Sequence, residues 1–353
     1  MNQDLITRAA RPTIQDVARL AGVSVATVSA VMNGTVRVSP ERTERVQRAM
    51  AALQYRPDER GRTLRTGHTR LIGVVVPDVT NPFYPEILRE IEHAARQRGY
   101  SVLLCDSAND PEQERGHLEA LVGRGVDGAL VACTDSATSY EWLESRAFPA
   151  VFFERIPVVG RITAVSTDHE DAALAATRHL LNCGHRQIAF LATNPSLSSV
   201  AGRVEGFRKA LAEAGLPLRQ EFLRTQIHGA DEARAAALEL LRAQRKPTAF
   251  LCSNSVLLLG VDGAVRGAGL ECPRDVSLMC FDSPLWTHHH DPPITTMSQP
   301  TMEIASEAVR CLLERIKNKS AAARARSVTW LKDTLVVRQS TGPAPRKTAA
   351  KPA

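Results

Sequence analysis

The chain has 353 residues, of which 44% are hydrophobic, and a formal net charge of +6. This length suggests two or three domains with a sizeable core. The sequence contains no apolar run of about 18 residues and no apolar segment near its start, so we expect no membrane span, no signal peptide and a cytoplasmic location. Seven cysteines lie apart without a C-x-x-C pattern, which indicates reduced thiols rather than a disulfide framework or a structural zinc site.

The positive charge is confined to one end of the sequence. Residues 1–70 contain twelve arginines, no lysine and six acidic residues, whereas the remaining 283 residues carry equal numbers of basic and acidic side chains. An excess of basic side chains in one short segment is typical of a protein that binds a polyanion such as nucleic acid. The alternative is a solvated basic surface without a partner.

The same segment contains a pattern typical of two short helices joined by a tight turn, over Thr13–Asn33. Thr13 is a suitable helix cap, with Asp16 three residues further on as in a capping box. Gly22 is free to adopt the positive φ that ends a helix. The second helix, capped by Ser24, exposes short uncharged side chains that suit a helix lying close in a DNA major groove. These side chains are Val25, Ala26, Thr27, Ser29, Ala30 and Asn33.

A third helix is predicted to begin at Ser39, with Pro40 at its first helical position. The three helices form a small head over residues 12–57, which follows a flexible arm over residues 1–11. Because its core is small, the head is expected to be only marginally stable alone.

From Leu71 onward, apolar strand-like runs alternate with helical segments. This alternation predicts two successive βαβ series and therefore a doubly wound parallel α/β fold. Such sheets bind ligands at the carboxyl ends of their strands. The predicted strands are near residues 71–76, 101–105, 128–131, 150–153, 188–192, 222–226, 249–252 and 276–281. The predicted helices are near residues 85–99, 111–125, 138–145, 171–182, 202–214, 231–243 and 256–268.

The head follows an extended sequence pattern. It is T-I-x-D-V-A-x-x-A-G-V-S-x-x-T-V-S-x-x-x-N from Thr13, followed by Val38-Ser39-Pro40-Glu41 and Leu53-x-Tyr55-x-Pro57. With this pattern the sequence resembles the lactose/galactose-repressor (LacI/GalR) family of bacterial transcription regulators. The resemblance extends to about residue 340, through segments such as Gly184-His185-Arg186 and Pro292-Pro293-Ile294.

The resemblance implies a helix-turn-helix head, a hinge helix and a periplasmic-binding-protein-like core of two Rossmann-like subdomains. Because the tail lacks the leucine heptads that make some family members tetrameric, we expect a homodimer. The implied ranges are 12–57 for the DNA-binding head, 58–69 for the hinge helix and linker, and 70–340 for the effector-binding and dimerisation core. Within the core, residues 70–168 and 299–328 would form the first subdomain and residues 169–298 and 329–340 the second, followed by a disordered tail over 341–353.

In the family, the hinge helix folds on DNA, and paired leucines from the two subunits wedge into the minor groove at the operator centre. Leu64 matches this leucine, whereas Gly61 stands where alanine is usual. Glycine costs about 1 kcal/mol relative to alanine in a helix, so hinge folding is less secure here. The DNA-binding residues identified in this way are Thr13, Ser24, Val25, Ala26, Thr27, Ser29, Ala30, Asn33, Ser39, Gly61 and Leu64.

The resemblance also implies an effector site in the cleft between the subdomains, for a sugar, a sugar acid or a similar small molecule. Arg203 and Asp282 match positions that grip hydroxyl or carboxylate groups, and a guanidinium fork facing a carboxylate suits this role. The alternatives are an ion pair between these two residues that closes the subdomain interface and, for Phe83 and Tyr84, core packing. The predicted effector-binding residues are Phe83, Tyr84, Glu154, Arg203, His228, Asn254 and Asp282.

Two further patterns bear on chemistry. His288, His289 and His290 suggest a metal site, but consecutive residues of an extended chain point to opposite sides, so we expect a solvated loop and no metal. The patterns G-x-S-x-G, H-E-x-x-H and G-x-G-x-x-G and the P-loop pattern do not occur. We therefore expect no cofactor and no enzymatic activity.

The favoured interpretation is a dimeric repressor that binds a palindromic operator in the nucleoid and is controlled allosterically by a small molecule in the cleft. The alternative is a small-molecule (sugar-type) binding protein or enzyme of the periplasmic-binding fold with an incidental basic N-terminal arm. The intact head favours the first interpretation, and a signal peptide would favour the second.

Overall fold

The computed structural model of the protein describes residues 12–33, 36–55, 67–318 and 326–345. The chain forms two compact units that divide between Thr69 and Arg70. The first contains the head and the second is the core. No single helix in these ranges is long and apolar enough to cross a membrane. Two helices of the head, which are bent by 103° to each other, reach that length and apolar composition only when they are taken together.

The head consists of three helices, α1 (Ile14–Ala21), α2 (Val25–Asn33) and α3 (Pro40–Ala52). Val17, Val28 and Val46 come one from each helix and are fully buried. They form the centre of one small apolar core, as the helical spacing of apolar residues predicts.

The predicted start and end of α1 are confirmed. The Thr13 hydroxyl accepts a hydrogen bond from the Asp16 N–H at 3.3 Å, and the Asp16 carboxylate accepts one from the Thr13 N–H at 2.9 Å. Gly22 ends α1 with a φ of 61°, which a glycine adopts without steric cost. The Arg45 guanidinium on α3 donates to the carbonyl oxygens of Ala21 and Gly22 and so fixes α3 against this turn.

The core contains alternating strands and helices. It begins with β1 (Leu71–Val76), α4 (Phe83–Gln97), β2 (Ser101–Asp106), α5 (Pro111–Gly123), β3 (Gly128–Val131), α6 (Glu141–Ser145), β4 (Ala150–Phe153) and β5 (Thr163–Thr167). It continues with α7 (His169–Asn182), β6 (Ile188–Leu191), α8 (Ser198–Glu213), β7 (Leu223–Arg224), α9 (Ala230–Arg242), β8 (Ala249–Cys252), α10 (Ser255–Gly267), β9 (Ser277–Phe281), α11 (Leu285–His289) and β10 (Thr295–Ser298). The last elements are α12 (Thr301–Lys317), β11 (Ser327–Leu331) and β12 (Thr334–Val336).

These strands form two sheets, one in each subdomain, which confirms the predicted fold class. The first sheet has the order β11-β5-β4-β3-β1-β2 and is parallel throughout. The second has the order β12-β10-β9-β8-β6-β7, in which only the pairing of β12 with β10 is antiparallel. The strand order reverses between β1 and β3 and between β6 and β8, and ligands of such sheets bind at these switch points.

The chain crosses between the subdomains three times in the described ranges. The crossovers lie at Asp168 after β5, at Gln299 after β10 and at Lys332–Asp333 after β11. Between the second and third crossovers, α12 packs into the hydrophobic core of the first subdomain. Adjacent linkers of this kind form a pivot about which two subdomains can rotate.

All eight predicted strands and all seven predicted core helices are present, most of them within two residues of their predicted bounds. The predictions missed the helices α11 and α12, and they also missed the strands β5, β10, β11 and β12. Two of these, TAVST and TTMS, are short and rich in Thr and Ser, and the other two are half exposed at sheet edges. None therefore has the apolar run by which the other strands were identified.

The ordered chain extends beyond the expected start of the tail at residue 341. The Thr341 hydroxyl lies 2.9 Å from Nε2 of His179, and the Ala344 N–H donates to the Cys183 carbonyl at 2.8 Å. Both contacts fix this segment to the second subdomain. Residues 346–353 lie outside the described residues.

Close packing of α9 against α10 yields a test of the fold. A methyl group at Gly260 would overlap the carbonyl oxygen of Ala230, whereas the nearest atom to a methyl group at Gly263, Cδ of Arg234, would be 3.9 Å away. We expect Gly260→Ala to destabilise the core by about 1–3 kcal/mol through overpacking, and Gly263→Ala on the same helix to be neutral or slightly stabilising. The midpoint of thermal unfolding by circular dichroism measures both, and equal midpoints would contradict this packing.

Candidate functional site

The predicted DNA-binding face of the head lies on α2 and its neighbours. Val25 and Ala26 are exposed, and Thr27, Ser29 and Ala30 are half-buried. A helix that presents only small side chains can approach base edges closely.

The polar side chains at the helix starts have different roles. The Ser24 hydroxyl accepts a hydrogen bond from the Thr27 N–H at 3.2 Å and so caps α2, as predicted. Thr13 caps α1, whereas the exposed Ser39 makes no capping bond with its side chain. The Asn33 side chain lies outside the described part of the head. Gly61 and Leu64, and with them the predicted hinge helix, also lie outside the described residues.

In the core, three of the predicted effector-binding residues meet in the cleft between the subdomains. Glu154 follows β4, Arg203 lies on α8 and Asp282 follows β9, and each is at most 5% exposed. The ion pair that crosses the cleft joins Arg203 Nη2 to Glu154 Oε1 at 3.5 Å. Asp282 instead accepts a hydrogen bond from Gln299 at 3.0 Å. The sequence suggested an ion pair between Arg203 and Asp282. In the structure Arg203 pairs with Glu154 instead, because the glutamate side chain is longer than that of aspartate.

Arg203 is held from two further directions. Its Nη1 donates to the carbonyl oxygen of Ser253 at 2.7 Å, and its guanidinium carbon lies 4.5 Å from the centre of the Phe281 ring. Arginine stacks on aromatic faces in this way. Phe281 ends β9 and Ser253 directly follows β8, so the sheet itself positions the guanidinium.

The backbone at both acids is strained. Glu154 has a φ of 56° and Asp282 a φ of 68°, a left-handed conformation that is costly for residues other than glycine. Strain of about 1–3 kcal/mol per residue persists where the surroundings fix it, and such residues cluster at functional sites. The left-handed turns place both carboxylates at the ends of their strands, where the subdomains meet.

Several residues that the sequence analysis did not identify connect this site to the crossovers. The Thr167 hydroxyl lies 3.3 Å from Oε1 of Gln299 and 3.3 Å from Nδ1 of His169. Nε2 of His169 is 3.6 Å from the Glu154 carboxylate. Each of these residues lies at or beside a crossover. The positions of the crossovers follow from the strand order, which the sequence does not show.

The electrostatics of the site follow from burial. Desolvation raises the pKa of Glu154, and it raises the pKa of Asp282 to about 6, although the Arg203 guanidinium opposes both shifts. Burial, with Arg203 nearby, lowers the pKa of His169 to about 3, so this imidazole is neutral and its contact with Glu154 is not an ion pair.

The other predicted effector residues are placed differently. Phe83 and Tyr84 are buried in the hydrophobic core of the first subdomain, in an edge-to-face pair with ring centres 5.2 Å apart. Of the two roles considered for this pair, effector binding and core packing, the structure shows core packing. His228 is exposed, and the Asn254 side chain caps α10 by accepting the Leu257 N–H at 2.9 Å.

The three consecutive histidines do not form the loop expected from the sequence, although His288 and His289 are exposed as expected. His288 and His289 end the short helix α11. Nε2 of His288 lies 2.9 Å from the Arg338 guanidinium, and Nε2 of His290 lies 3.2 Å from the Asp262 carboxylate. Within the described ranges, no group of three or more His, Cys, Asp or Glu side chains is arranged to hold a metal ion.

Comparison with known proteins gives the family. Residues 13–58 match the family described as bacterial regulatory proteins, lacI family, and residues 177–341 match the periplasmic binding protein-like domain. The repressor PurR of Haemophilus influenzae (strain PittEE) is 34% identical over 331 residues, which cover 93% of this chain and 98% of that protein. The chain belongs to the lacI family of bacterial regulatory proteins.

Solved structures of lacI-family members have the same architecture. The lac repressor dimer bound to operator and the anti-inducer ONPF is 27% identical with a TM-score of 0.83, covering 94% of this chain and 99% of that chain. A lacI-family regulator from Enterococcus faecium with bound ribose is 28% identical with a TM-score of 0.67, covering 77% of this chain and 99% of that chain. This lacI-family chain is therefore a DNA-binding transcription repressor with an effector-binding core, which decides between the two interpretations of the sequence.

The raised pKa of Asp282 predicts how the stability of this lacI-family core depends on pH. The pKa rises on folding from 3.8 to about 6, so the folded state binds the proton more tightly than the unfolded chain does. Its contribution to stability therefore falls as the pH rises from about 4 to about 6 and stays at the lower value above that. We expect Asp282→Asn to be more stable than the parent by about 3 kcal/mol near pH 7.5, and this advantage to vanish below about pH 4. Thermal unfolding across this pH range measures the difference, and a difference independent of pH would contradict the assignment.

Proposed function

We propose that the protein acts as a homodimer that binds a palindromic operator through its heads and is controlled by a small molecule in the cleft of the core. The observation that carries this proposal is the buried cluster of Glu154, Arg203 and Asp282 between two subdomains, in a chain that also has a DNA-binding head. With DNA as its partner, the protein would act in the cytoplasm, at the nucleoid.

Operator reading is assigned to α2. Its exposed side chains are too small for the bidentate contacts that Arg makes with guanine or Gln with adenine, but Val25, Ala26 and Ala30 can pack on thymine methyl groups. The arginines of the head would supply the phosphate contacts that position it without reading sequence. The related lac repressor is seen bound to operator DNA, which supports this role.

This assignment predicts the effect of enlarging one side chain. Ala30→Arg should change the base preference at one or two positions of each half-site, because arginine can reach guanine O6 and N7. The control is Ser24→Ala, which removes a helix cap and should weaken binding to all sequences about equally. Selection from random operators, performed at one salt concentration because phosphate contacts depend on salt, measures both. Unchanged preference in Ala30→Arg would remove α2 from the recognition surface.

The effector is assigned to the cleft. The Enterococcus faecium relative holds ribose and the lac repressor holds the anti-inducer ONPF, which supports a sugar-type small molecule. In this chain the Arg203 guanidinium and the Asp282 carboxylate offer donors and acceptors to such a ligand. Because the Arg203–Glu154 pair occupies the site, a ligand must replace Glu154 at the guanidinium, and this exchange would alter the contact between the subdomains.

We assign the dimer interface to exposed apolar side chains of the core. Leu103 and Leu104 on β2, an edge strand of the first sheet, are 37% and 47% exposed, and Leu259 on α10 is 48% exposed. Exposed leucines on an edge strand are a liability in a monomer and suit a surface covered by a partner. The solved lac repressor is a dimer, which supports the same state here. Effector and operator would then prefer different arrangements of one dimer, so that each changes the affinity for the other.

The effector assignment is tested by a conservative substitution. Arg203→Lys keeps the charge but loses the planar fork, so we expect effector affinity to fall by about 10–100-fold while operator affinity without effector stays within about twofold. Lys209→Ala, on the exposed side of the same helix, is the matched control and should change neither. A thermal-shift screen of sugars and related compounds supplies the ligands, and fluorescence anisotropy with labelled operator measures both affinities. Full effector response in Arg203→Lys would place the effector elsewhere.

A further inference from the structure

A cavity of about 350 Å³ lies beside the first and third crossovers. Its walls come from both subdomains. Trp330 and Leu331 end the edge strand β11 of the first, whereas Ala172 and Ala175 lie on α7 and Leu335 on β12 of the second. This volume is within the range of roughly 300–1,000 Å³ that is usual for small-molecule pockets, which occur preferentially at interfaces between domains. We call it the hinge cavity.

The hinge cavity is separate from the predicted effector site. The residues that line it do not include Glu154, Arg203 or Asp282. They do include both ends of a bond between two linkers, because the Asp168 N–H at the first crossover donates to the Leu331 carbonyl, just before the third, at 3.3 Å. A molecule in this cavity would therefore touch the pivot between the subdomains rather than the cleft.

Trp330 forms one side of the hinge cavity and is 57% exposed. A single exposed apolar side chain needs no explanation on its own, but this one stands beside a cavity whose walls are largely apolar. The proposed dimer does not account for it, because β11 and β2, the strand with the exposed leucines, lie at opposite edges of the first sheet. An exposed indole face is a platform on which another aromatic ring can stack.

Polar groups of both kinds line the same cavity. Asp168, Asp171 and Lys332 are exposed there, and Asp333 is half-buried. The Asp168 carboxylate also caps α7 by accepting the Asp171 N–H at 3.0 Å. The carboxylates accept hydrogen bonds and the lysine donates them, so a hydroxyl group, which does both, can bond to either. The apolar walls and the indole face are then the features that recognise the rest of the ligand.

We propose that the hinge cavity is a second small-molecule site of this repressor, for an aromatic compound of one or two rings that carries a hydroxyl group. Trp330 stacks on the ring, and the apolar side chains of α7 and β12 cover it from the other subdomain. The inference goes beyond the proposed function, because it needs neither Arg203 nor an effector in the cleft. A ring held between the subdomains favours one arrangement at the pivot, so its binding and operator binding affect each other.

The first experiment compares an aromatic compound with its saturated analogue. 2-Naphthol and decahydro-2-naphthol share a carbon skeleton and a hydroxyl group, and both are titrated into the full chain by calorimetry at neutral pH. We expect 2-naphthol to bind with a Kd below about 1 mM, and about three- to tenfold more tightly than the saturated compound because it stacks on the indole. Absence of binding by 2-naphthol at about 1 mM, or equal affinities for the two compounds, would overturn the inference.

The second experiment assigns the binding to the cavity. Trp330→Leu removes the aromatic face but keeps an apolar side chain, so it should abolish the preference for 2-naphthol over the saturated compound. Ala175→Leu fills the cavity from α7 and should block both compounds while Trp330 stays in place. The matched control is Val337→Ala, since Val337 is 58% exposed just after β12 but does not line the cavity. Binding that persists unchanged in both Trp330→Leu and Ala175→Leu would overturn the assignment.

The third experiment tests the effect on DNA binding and separates this inference from the proposed function. Saturating 2-naphthol should change operator affinity, measured by fluorescence anisotropy, by at least about fivefold in the parent, and by less at the same concentration in Trp330→Leu. Unchanged operator affinity in the parent would overturn the regulatory role of the cavity. Loss of 2-naphthol binding in Arg203→Lys would place the compound in the effector cleft and overturn the inference, whereas failure of every sugar to bind would overturn only the proposed effector.

Discussion

The need to pair charges that are removed from water is the constraint on which the core depends. Glu154 and Arg203 are each 4% exposed and belong to different subdomains, so they can satisfy one another only while the cleft is closed. An unpaired buried charge costs several kcal/mol, and a buried pair stabilises the fold little on its own. The pair therefore does less to hold the protein together than to specify one arrangement of the subdomains.

The crossovers carry this constraint away from the cleft. Thr167, Gln299 and Asp333 lie at or beside the three crossovers, and Thr167 and Gln299 are hydrogen-bonded to each other. A ligand that competed for Asp282 would also change the partners of these linkers, because Gln299 donates to Asp282. Because the linkers are adjacent, a small change in their hydrogen bonds can rotate the two rigid subdomains relative to each other.

The site shows where sequence reasoning succeeds and where it fails. The residue types at Arg203, Asp282 and Glu154 indicated a polar cleft, and the structure brings the three together. The choice of pairs could not be predicted, because it depends on a left-handed turn after β4 and on the extra reach of glutamate. Asn254 illustrates the same limit, since its side chain caps α10, and His228 is exposed although it was among the predicted effector-binding residues.

The sequence by itself determined the features that depend on neighbours along the chain. These are the capped helices of the head, the apolar runs that become central strands and the alternation that makes all strand pairs parallel except that of β12 with β10, since local propensity and burial period act within about ten residues. Only the tertiary structure decided which residues meet across the cleft. It brought Arg203 within 3.5 Å of Glu154 although 49 residues separate them, because strand order and the three crossovers, rather than local preference, set the distance between such side chains. The buried cluster of Glu154, Arg203 and Asp282 is therefore a property of the fold that no segment of the sequence contains.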